Sequence, residues 1–432
     1  MVKKSVWVYV LFLLLGLQAT AQTAVDDTIR LSLSVEEANV HALQHNRTLK
    51  KAGMAVEQAE WEKIAAIANY LPQVSANANY TDHLGAQLTL LGQSITMDPS
   101  STLTIQATQL IFNANALLGM RMADLAKKMS QSGSELTQLA IIQNVNSVYY
   151  SILSAEDNRR LLQQNVENVR KLAMATRSMV EVGISEQTEA DQMDVTLANL
   201  ENTLKSTERT IEIAYNSLRL LLGVDAHVSL QLTDRLGDLL DTTDAYGLLT
   251  EPFVMNLHPE VKTSLLSVDL KKEERRMALA TYLPSITAVY QYNEKLKTSG
   301  FDMTLKQNIT FTASMPLFSS GGNYAKAKKA KLGYLNAQED YQMLVDQMEI
   351  QDKQLRYNLK SALETYEIQQ KNILVSKRVF ENISKKYEQG LSSSLELTNA
   401  SNSLLTAQGN YIGAVMNLLT AKDELAKLLG EL

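Results

Sequence analysis

The sequence predicts a mainly α-helical chain with a β-barrel part, built twice from one plan, and three observations predict it. Four short stretches alternate apolar with uncharged polar residues at the period of a strand. Long proline-free stretches, 112–182 above all, carry apolar residues at coiled-coil spacing. Landmarks of the first half recur in the second at a nearly constant offset.

The N-terminus comes first in the chain and limits where the rest resides. Residues 1–21 have the form of a cleaved secretory signal: Lys3 and Lys4, an apolar run from Val6 to Leu17, then Ala19-Thr20-Ala21, with Gln22 the expected mature start. That run is too short to cross roughly 30 Å of hydrocarbon as a helix. No later segment is long, apolar and uncharged enough to do so, which excludes a bundle of membrane helices. An exported chain of this kind is periplasmic, secreted or a β-barrel. The absence of cysteine excludes a disulfide framework, a thiolate metal site and a lipid-bearing cysteine at the cleavage point. Formal charge is −6, and removing the leader takes away two of the 41 basic residues. So acidic a balance argues against nucleic acid as a partner.

The duplication rests on ordered landmarks. Tyr70-Leu71-Pro72 recurs as Tyr282-Leu283-Pro284 at an offset of 212, while Leu221-Leu222-Gly223 recurs as Leu428-Leu429-Gly430 and Gly183 as Gly390 at an offset of 207. The expected repeats are 22–240 and 241–432, each a helix, two strands and a long helical hairpin. With 432 residues and only 6 Pro, the chain has room for such long elements.

Each repeat opens on an amphipathic helix, expected from about Ser34 to Tyr70 and from about Thr250 to Tyr282, stopped by the proline after its Tyr-Leu pair. Past Pro72 the period becomes two: Val74, Ala76, Ala78 and Tyr80 on one face, Ser75, Asn77 and Asn79 on the other. The second stretch sets Leu103, Ile105 and Ala107 against Thr104, Gln106 and Thr108, and the second copy supplies Ile286, Ala288, Tyr290 and Tyr292. The fourth sets Ile309, Phe311, Ala313 and Met315 against Asn308, Thr310, Thr312 and Ser314. A strand on a soluble core normally shows charged residues to solvent, and here they are almost absent. An apolar face toward lipid and a Gln, Asn, Ser and Thr face toward water is the pattern of a transmembrane barrel strand, with a soluble sandwich as the alternative. Four strands cannot close a barrel, so several chains would have to share one. The loops at about His83–Ser101 and Leu296–Thr304 are expected to face outside.

After the second strand, Ile141, Val145, Val148 and Ile152, then Leu162, Val166, Val169 and Ala173, mark one seam, which resumes past Gly183 from Ala190 to Leu221. The partner seam runs from Leu397 through Ala400, Leu404 and Ala407 to Leu428, so both copies are expected to hold coiled-coil hairpins. The 113–182 rod would be roughly 105 Å long, enough to cross a periplasm.

Taken in order, these residues resemble the TolC family of outer-membrane efflux proteins over essentially the whole mature chain. The likeness is carried by the two Tyr-Leu-Pro triplets, by Met315-Pro316-Leu317-Phe318-Ser319-Ser320-Gly321-Gly322 leading into a helix, by Tyr387-Glu388-Gln389-Gly390, and by the two closing Leu-Leu-Gly triplets. The resemblance implies a homotrimer whose 12-stranded transmembrane β-barrel, four strands per chain, continues into a long α-helical periplasmic tunnel. It implies an outer-membrane exit duct for small molecules or polypeptides, serving tripartite efflux or type I secretion, with a periplasmic adaptor and an inner-membrane transporter as partners and outer-membrane lipid around the barrel. It places adaptor docking at the tips Val182-Gly183-Ile184-Ser185 and Gly390-Leu391-Ser392-Ser393, and the pore constriction at Glu189, Glu396 and Asn399. Glu side chains and a neutral amide depart from the family's constricting acids, which implies a looser or less cation-selective closed state. Three copies of Glu396 near one axis would repel and titrate high.

No catalytic site, cofactor or metal is expected. His41 and His45 are four apart on a helix, but His-Ala-Leu-Gln-His lacks the glutamate of a zinc protease and a third ligand. Gly321-Gly322 lacks the lysine of a phosphate-binding loop. The competing reading is a periplasmic coiled-coil adaptor or structural tether with a small soluble β-domain.

Overall fold

The computed structural model describes residues 30–90, 93–96, 98–240, 242–297 and 305–431. The leader expected at 1–21 lies outside these residues, as does most of the loop expected at Leu296–Thr304. The elements are β1 (Arg30–Leu33), α1 (Val35–His45), α2 (Arg47–Ala68), β2 (Gln73–Thr81), β3 (Gln87–Leu90), β4 (Gln93–Thr96), β5 (Ser100–Phe112), α3 (Ala114–Glu181) and α4 (Gln187–Leu222). They continue with β6 (Ser229–Leu232), α5 (Thr242–Leu248), a 3-10 turn at Met255–Leu257, α6 (Pro259–Ala280), β7 (Ser285–Lys297), β8 (Gln307–Ser314), α7 (Gly322–Glu388) and α8 (Ser394–Leu429). Helix, two longer strands, and a hairpin of two helices therefore occur twice.

The four alternating stretches form one antiparallel sheet in the order β2-β5-β7-β8. Its register carries the alternation across every strand: Ala76 lies opposite Ile105, Ile105 opposite Tyr292, and Tyr290 opposite Ile309. Residues directly opposite in an antiparallel pair share a face, so the apolar sets add up to one apolar surface. On it Val74 and Phe311 are each 71% exposed. The other face is polar and knits across strands, with the Thr104 hydroxyl donating to Asn293 Oδ1 at 2.8 Å and Gln291 Nε2 to Gln106 Oε1 at 3.1 Å. Strands β2 and β8 each pair on one side only among the described residues. In the stretch at about His83–Ser101, expected to be loop, β3 and β4 form a small separate hairpin between β2 and β5.

Both opening helices differ from expectation. The first breaks at Asn46, whose Oδ1 accepts the Thr48 and Leu49 amides at 2.8 and 3.2 Å and so caps α2. Asn46 Nδ2 also donates to the Leu221 carbonyl at 2.7 Å, so the break is where the end of α4 docks. The αL residue Gly223 sits there at φ +71, and a Cβ on it would lie 2.4 Å from the His45 carbonyl oxygen. The second opening helix starts late, at Pro259, because Pro at the first helical position has no amide to leave unpaired and His258 caps the helix through its side chain.

Helices α3 and α7, of 68 and 67 residues, are each about 100 Å long at 1.5 Å per residue. The seams of α3 and α8 are buried as the heptads predict, with Val145 and Ile152 of α3 and Leu397, Leu418 and Leu425 of α8 among the least exposed side chains. The thickest core lies midway, where Ala38 and Ala42 of α1, Tyr149 and Ile152 of α3, Leu218 and Leu222 of α4 and Val415 of α8 meet. Two small parallel strands cover it, β1 pairing β6. Asp234 joins the parts: its Oδ2 accepts the Val35 amide at 2.8 Å and lies 2.9 Å from the Tyr149 hydroxyl. Deeper still, Asn39 Nδ2 donates to Asn146 Oδ1 and Asn146 Nδ2 to Asp423 Oδ2, each at 2.7 Å. Burial raises the Asp423 carboxyl, against the hydrogen bonds from Asn146 and Tyr150, which lower it.

Asp234→Ala, which strands the Val35 amide while the Tyr149 hydroxyl keeps the Leu33 carbonyl at 3.0 Å, is expected to cost about 2 kcal/mol in thermal unfolding followed by helical circular dichroism. Gly223→Ala is expected to undo the α4 docking altogether, lowering the yield of folded protein. Because the folded Asp423 pKa is raised, its ionised form penalises the fold above that pKa, and the penalty disappears as pH falls through it. The wild type should therefore gain unfolding temperature between neutral and weakly acid pH by an increment that Asp423→Asn lacks.

Candidate functional site at the helical tips

The two hairpin turns are built alike. After α3 the Gly183 amide donates to the Val180 carbonyl at 3.0 Å and the Ile184 amide reaches back to Met179 at 2.8 Å. After α7 the Gly390 amide donates to Tyr387 at 2.9 Å and Leu391 to Lys386 at 2.8 Å. Both are Schellman closures on a left-handed glycine, at φ +77 and +73, which is why each turn needs glycine. The turns push Ile184 and Leu391 outward, 77% and 73% exposed, with Val182 beside them. All the residues expected at the docking tips, Ser185, Ser392 and Ser393 included, lie in these turns.

Glu189 and Glu396 occupy the same place in the two copies, the third position of α4 and of α8. Each accepts a hydrogen bond from a serine four residues back, Ser185 Oγ and Ser392 Oγ. In the second copy this grows into a full capping box: the Glu396 amide donates to Ser393 Oγ at 3.2 Å and the Ser393 amide to Glu396 Oε2 at 3.4 Å. The first copy has Glu186 at that cap position, with no side-chain cap bond. The Ser392 hydroxyl, then the Ser393 amide, hold the Glu396 carboxyl below its usual range within one chain. This opposes the upward shift expected from three copies around an axis, which only proximity between chains would produce. Glu396 and Asn399 are exposed on α8, beside the buried Leu397 and Ala400. No hydrogen bond joins Glu189 to Glu396 among the described residues.

Just above the tips the hairpins are braced. Arg177 donates to both carboxylate oxygens of Asp194 at 2.7 Å, and Arg170 to Glu201 at 2.7 Å, tying α3 to α4. The Thr176 hydroxyl donates to the Leu172 carbonyl at 2.9 Å, so the Tyr387 hydroxyl, 2.7 Å away, is the donor to Thr176. That pair is buried and links the first hairpin to the second beside Leu172, Phe380 and Leu404.

Sequence reasoning missed the capping role of Glu396, although Ser393-Ser394-Leu395-Glu396 carries the Ser-x-x-Glu signal for it. It also missed the Thr176–Tyr387 pair, for which no spacing rule exists. The histidines expected to be structural stack on each other, His41 and His45 ring centroids 4.3 Å apart. Burial, then His45, lowers the His41 pKa. No cluster of His, Asp and Glu suited to a metal occurs among the described residues, and none of their helices is long and apolar enough to cross a membrane.

Comparison with known proteins places this geometry. The sequence profile described as "Outer membrane efflux protein" matches residues 40–224 and 254–431, one match in each copy. The outer membrane protein TolC of Vibrio cholerae is 19% identical over 373 residues, covering 84% of this chain and 82% of its own length. A probable efflux pump outer membrane protein of Pseudomonas putida, TtgC, is 22% identical over 401 residues, covering 90% of this chain and 81% of its own. Among solved structures, the CmeC outer membrane channel of Campylobacter jejuni superposes with a TM-score of 0.77 at 18% identity, covering 92% of this chain and 85% of that one. A likeness at this identity establishes the fold, and the profile match over most of the chain establishes the family. The chain belongs to the outer membrane efflux protein family.

Proposed function

We propose that this chain is one subunit of an outer-membrane exit duct, a passive channel in a tripartite efflux or type I secretion system whose energy comes from an inner-membrane pump. The observation that carries the reading is the sheet: one face apolar and exposed, the other polar, and both edges unpaired among the described residues, continuous with helices about 100 Å long. Free edges in hydrocarbon leave backbone groups unpaired, so β8 of one copy pairs with β2 of the next, and three copies of four strands close a barrel of twelve. The repeats 22–240 and 241–432 contribute alike to wall and tunnel. The duct's chemistry is that of a polar wall, and no catalytic role is invoked.

At the far end, Glu189, Glu396 and Asn399 form the constriction, and the turns at 182–185 and 390–393 receive a periplasmic adaptor. The exposed Ile184 and Leu391 support that role, since a helical hairpin from a partner finds apolar anchors there. The position of Glu396 supports the constriction, because its charge lies on the exposed face of α8 while its hydrogen bonds serve the cap.

Reconstituted in a planar bilayer, the detergent-extracted protein is expected to run as a trimer and give discrete conductance steps. A water-soluble monomer without conductance would overturn the duct reading in favour of a periplasmic tether. Glu396→Gln keeps a capping acceptor but removes the charge. It is expected to reduce cation preference, seen as a shift of reversal potential toward zero in a salt gradient, with no loss of folded trimer. Unchanged selectivity would remove Glu396 from the constriction.

A further inference from the structure

Below the sheet the helices form a wall in the order α2-α3-α6-α7, in which α3 and α6 are flanked on both sides. Among the described residues α2 and α7, joined to the end strands β2 and β8, have a wall neighbour on one side only. Duplication supplies what belongs on the other side. Helices α2 and α6 are both 22 residues long and coincide end to end at an offset of 212, while α3 and α7 end together at an offset of 207. The α3–α6 junction, where the first repeat meets the second, is therefore a template for a second repeat meeting another first repeat, α7 against an α2.

The exposure of matched residues supports the template. On α6, Leu266, Asp269, Glu273 and Met277 are wholly or partly buried, whereas their counterparts on α2, Met54, Glu57, Trp61 and Ala65, are all exposed, Trp61 by 62%. On α3, Met122, Leu125, Ser132 and Leu136 are wholly or partly buried, whereas their counterparts on α7, Lys329, Leu332, Glu339 and Met343, are all exposed. Each stripe lacks the cover that its duplicate has.

Two contacts fix the register of the template. The Ser132 hydroxyl donates to the Pro259 carbonyl at 2.9 Å, and a Cβ on Gly119 would lie 4.0 Å from Met277 Cε. Moved by the two offsets, the first contact sets Glu339 against Arg47, of opposite charge, and the second sets Lys326 against Ala65. Between these levels Leu117, Arg121 and Leu125 of α3 line a groove with Asp269 and Glu273 of α6. The counterparts of the first three, Tyr324, Lys328 and Leu332, line a groove of about 660 Å³ on α7, and those of the last two are Glu57 and Trp61. A lysine thus meets a glutamate, and the indole meets a groove with an apolar floor and an ammonium beside it.

We propose that the exposed stripe of α2 docks on α7 of a second copy of this chain, with Trp61 seated in the Tyr324–Lys328–Leu332 groove and the pairs Arg47–Glu339 and Glu57–Lys328 setting the register. The occupant is a second copy because both halves of the seam, complementary in shape and charge, belong to this one sequence. The two surfaces differ, so the contact is heterologous and repeats until a ring closes. This seam rests on the shared-barrel reading, and it commits to a helix register that sharing strands leaves open.

The chain has no cysteine, so a pair can be introduced without background. Full-length Arg47→Cys/Glu339→Cys protein in detergent, treated with mild oxidant, is expected to run as a covalent trimer on a non-reducing denaturing gel, since the template contact brings these positions within disulfide reach. Arg47→Cys/Asp346→Cys, about 10 Å further along α7, is expected not to link. Arg47, Glu339 and Asp346 are exposed in the single chain, so these changes leave its fold intact. Trp61 is the one tryptophan outside the expected leader, and in the trimer its emission should lie at shorter wavelength and resist acrylamide quenching relative to dissociated chains. Arg47→Glu and Glu339→Arg should each lower the temperature at which the trimer dissociates, and together restore it. A conducting trimer in which Arg47→Cys/Glu339→Cys stays unlinked, in which the Asp346 pair links instead, or in which acrylamide reaches Trp61 freely overturns the seam and leaves the duct. Linked trimers that conduct nothing overturn the duct and leave the seam, and a monomer overturns both.

Discussion

A sheet in hydrocarbon has nowhere to hide an edge. Water is absent, each unpaired amide and carbonyl costs several kcal/mol, and a strand of about ten residues presents a whole row of them. The strand order β2-β5-β7-β8 leaves two such rows per chain, so oligomerisation is a condition of residence in the membrane. The same constraint reaches the helices. Strands β2, β5, β7 and β8 join α2, α3, α6 and α7, so the lateral order set by backbone pairing is handed down to a helical wall with matching neighbours. Duplication supplies the four strands with two copies of a single helix-strand-strand-hairpin plan.

Midway along, the wall changes character, since α1, α4 and α8 add a second layer and a genuine core appears. Apolar burial alone would let long coiled coils slide by a turn, because one heptad resembles the next. Polar groups fix the register: Asp234 accepts from α1 and touches Tyr149, and the Asn39–Asn146–Asp423 chain spans α1, α3 and α8. Burying Asp423 costs stability at neutral pH, as its raised carboxyl shows. The return is specificity of alignment between the two repeats, which the tips below require.

At the tips, one carboxylate does two jobs in different currencies. The hydrogen bonds of Glu396 close the start of α8, while its charge lies on an exposed face. The first copy keeps the glutamate but not the box, so the two turns, alike in backbone, differ in how the following helix is capped.

The chemistry of every wall was legible from the residues themselves. Alternation in Val74–Tyr80 and Ile309–Met315 named the strands and their two faces, because side-chain direction in a strand depends only on parity. The seam from Leu397 to Leu428 named the helical hairpins, because burial repeats every three to four residues. Gly183 and Gly390 marked the turns, which close on left-handed glycines at those positions. What depended on long-range pairing was not legible. The break at Asn46 exists because the end of α4 docks there, the short strands β1 and β6 exist only as a pair, and Thr176 meets Tyr387 across 211 positions of chain. Sequence by itself determined the periods, faces and turns of this protein, since each is a property of a few consecutive residues. The tertiary structure decided which surfaces meet and where a helix must break, since those follow from contacts between residues remote in the chain.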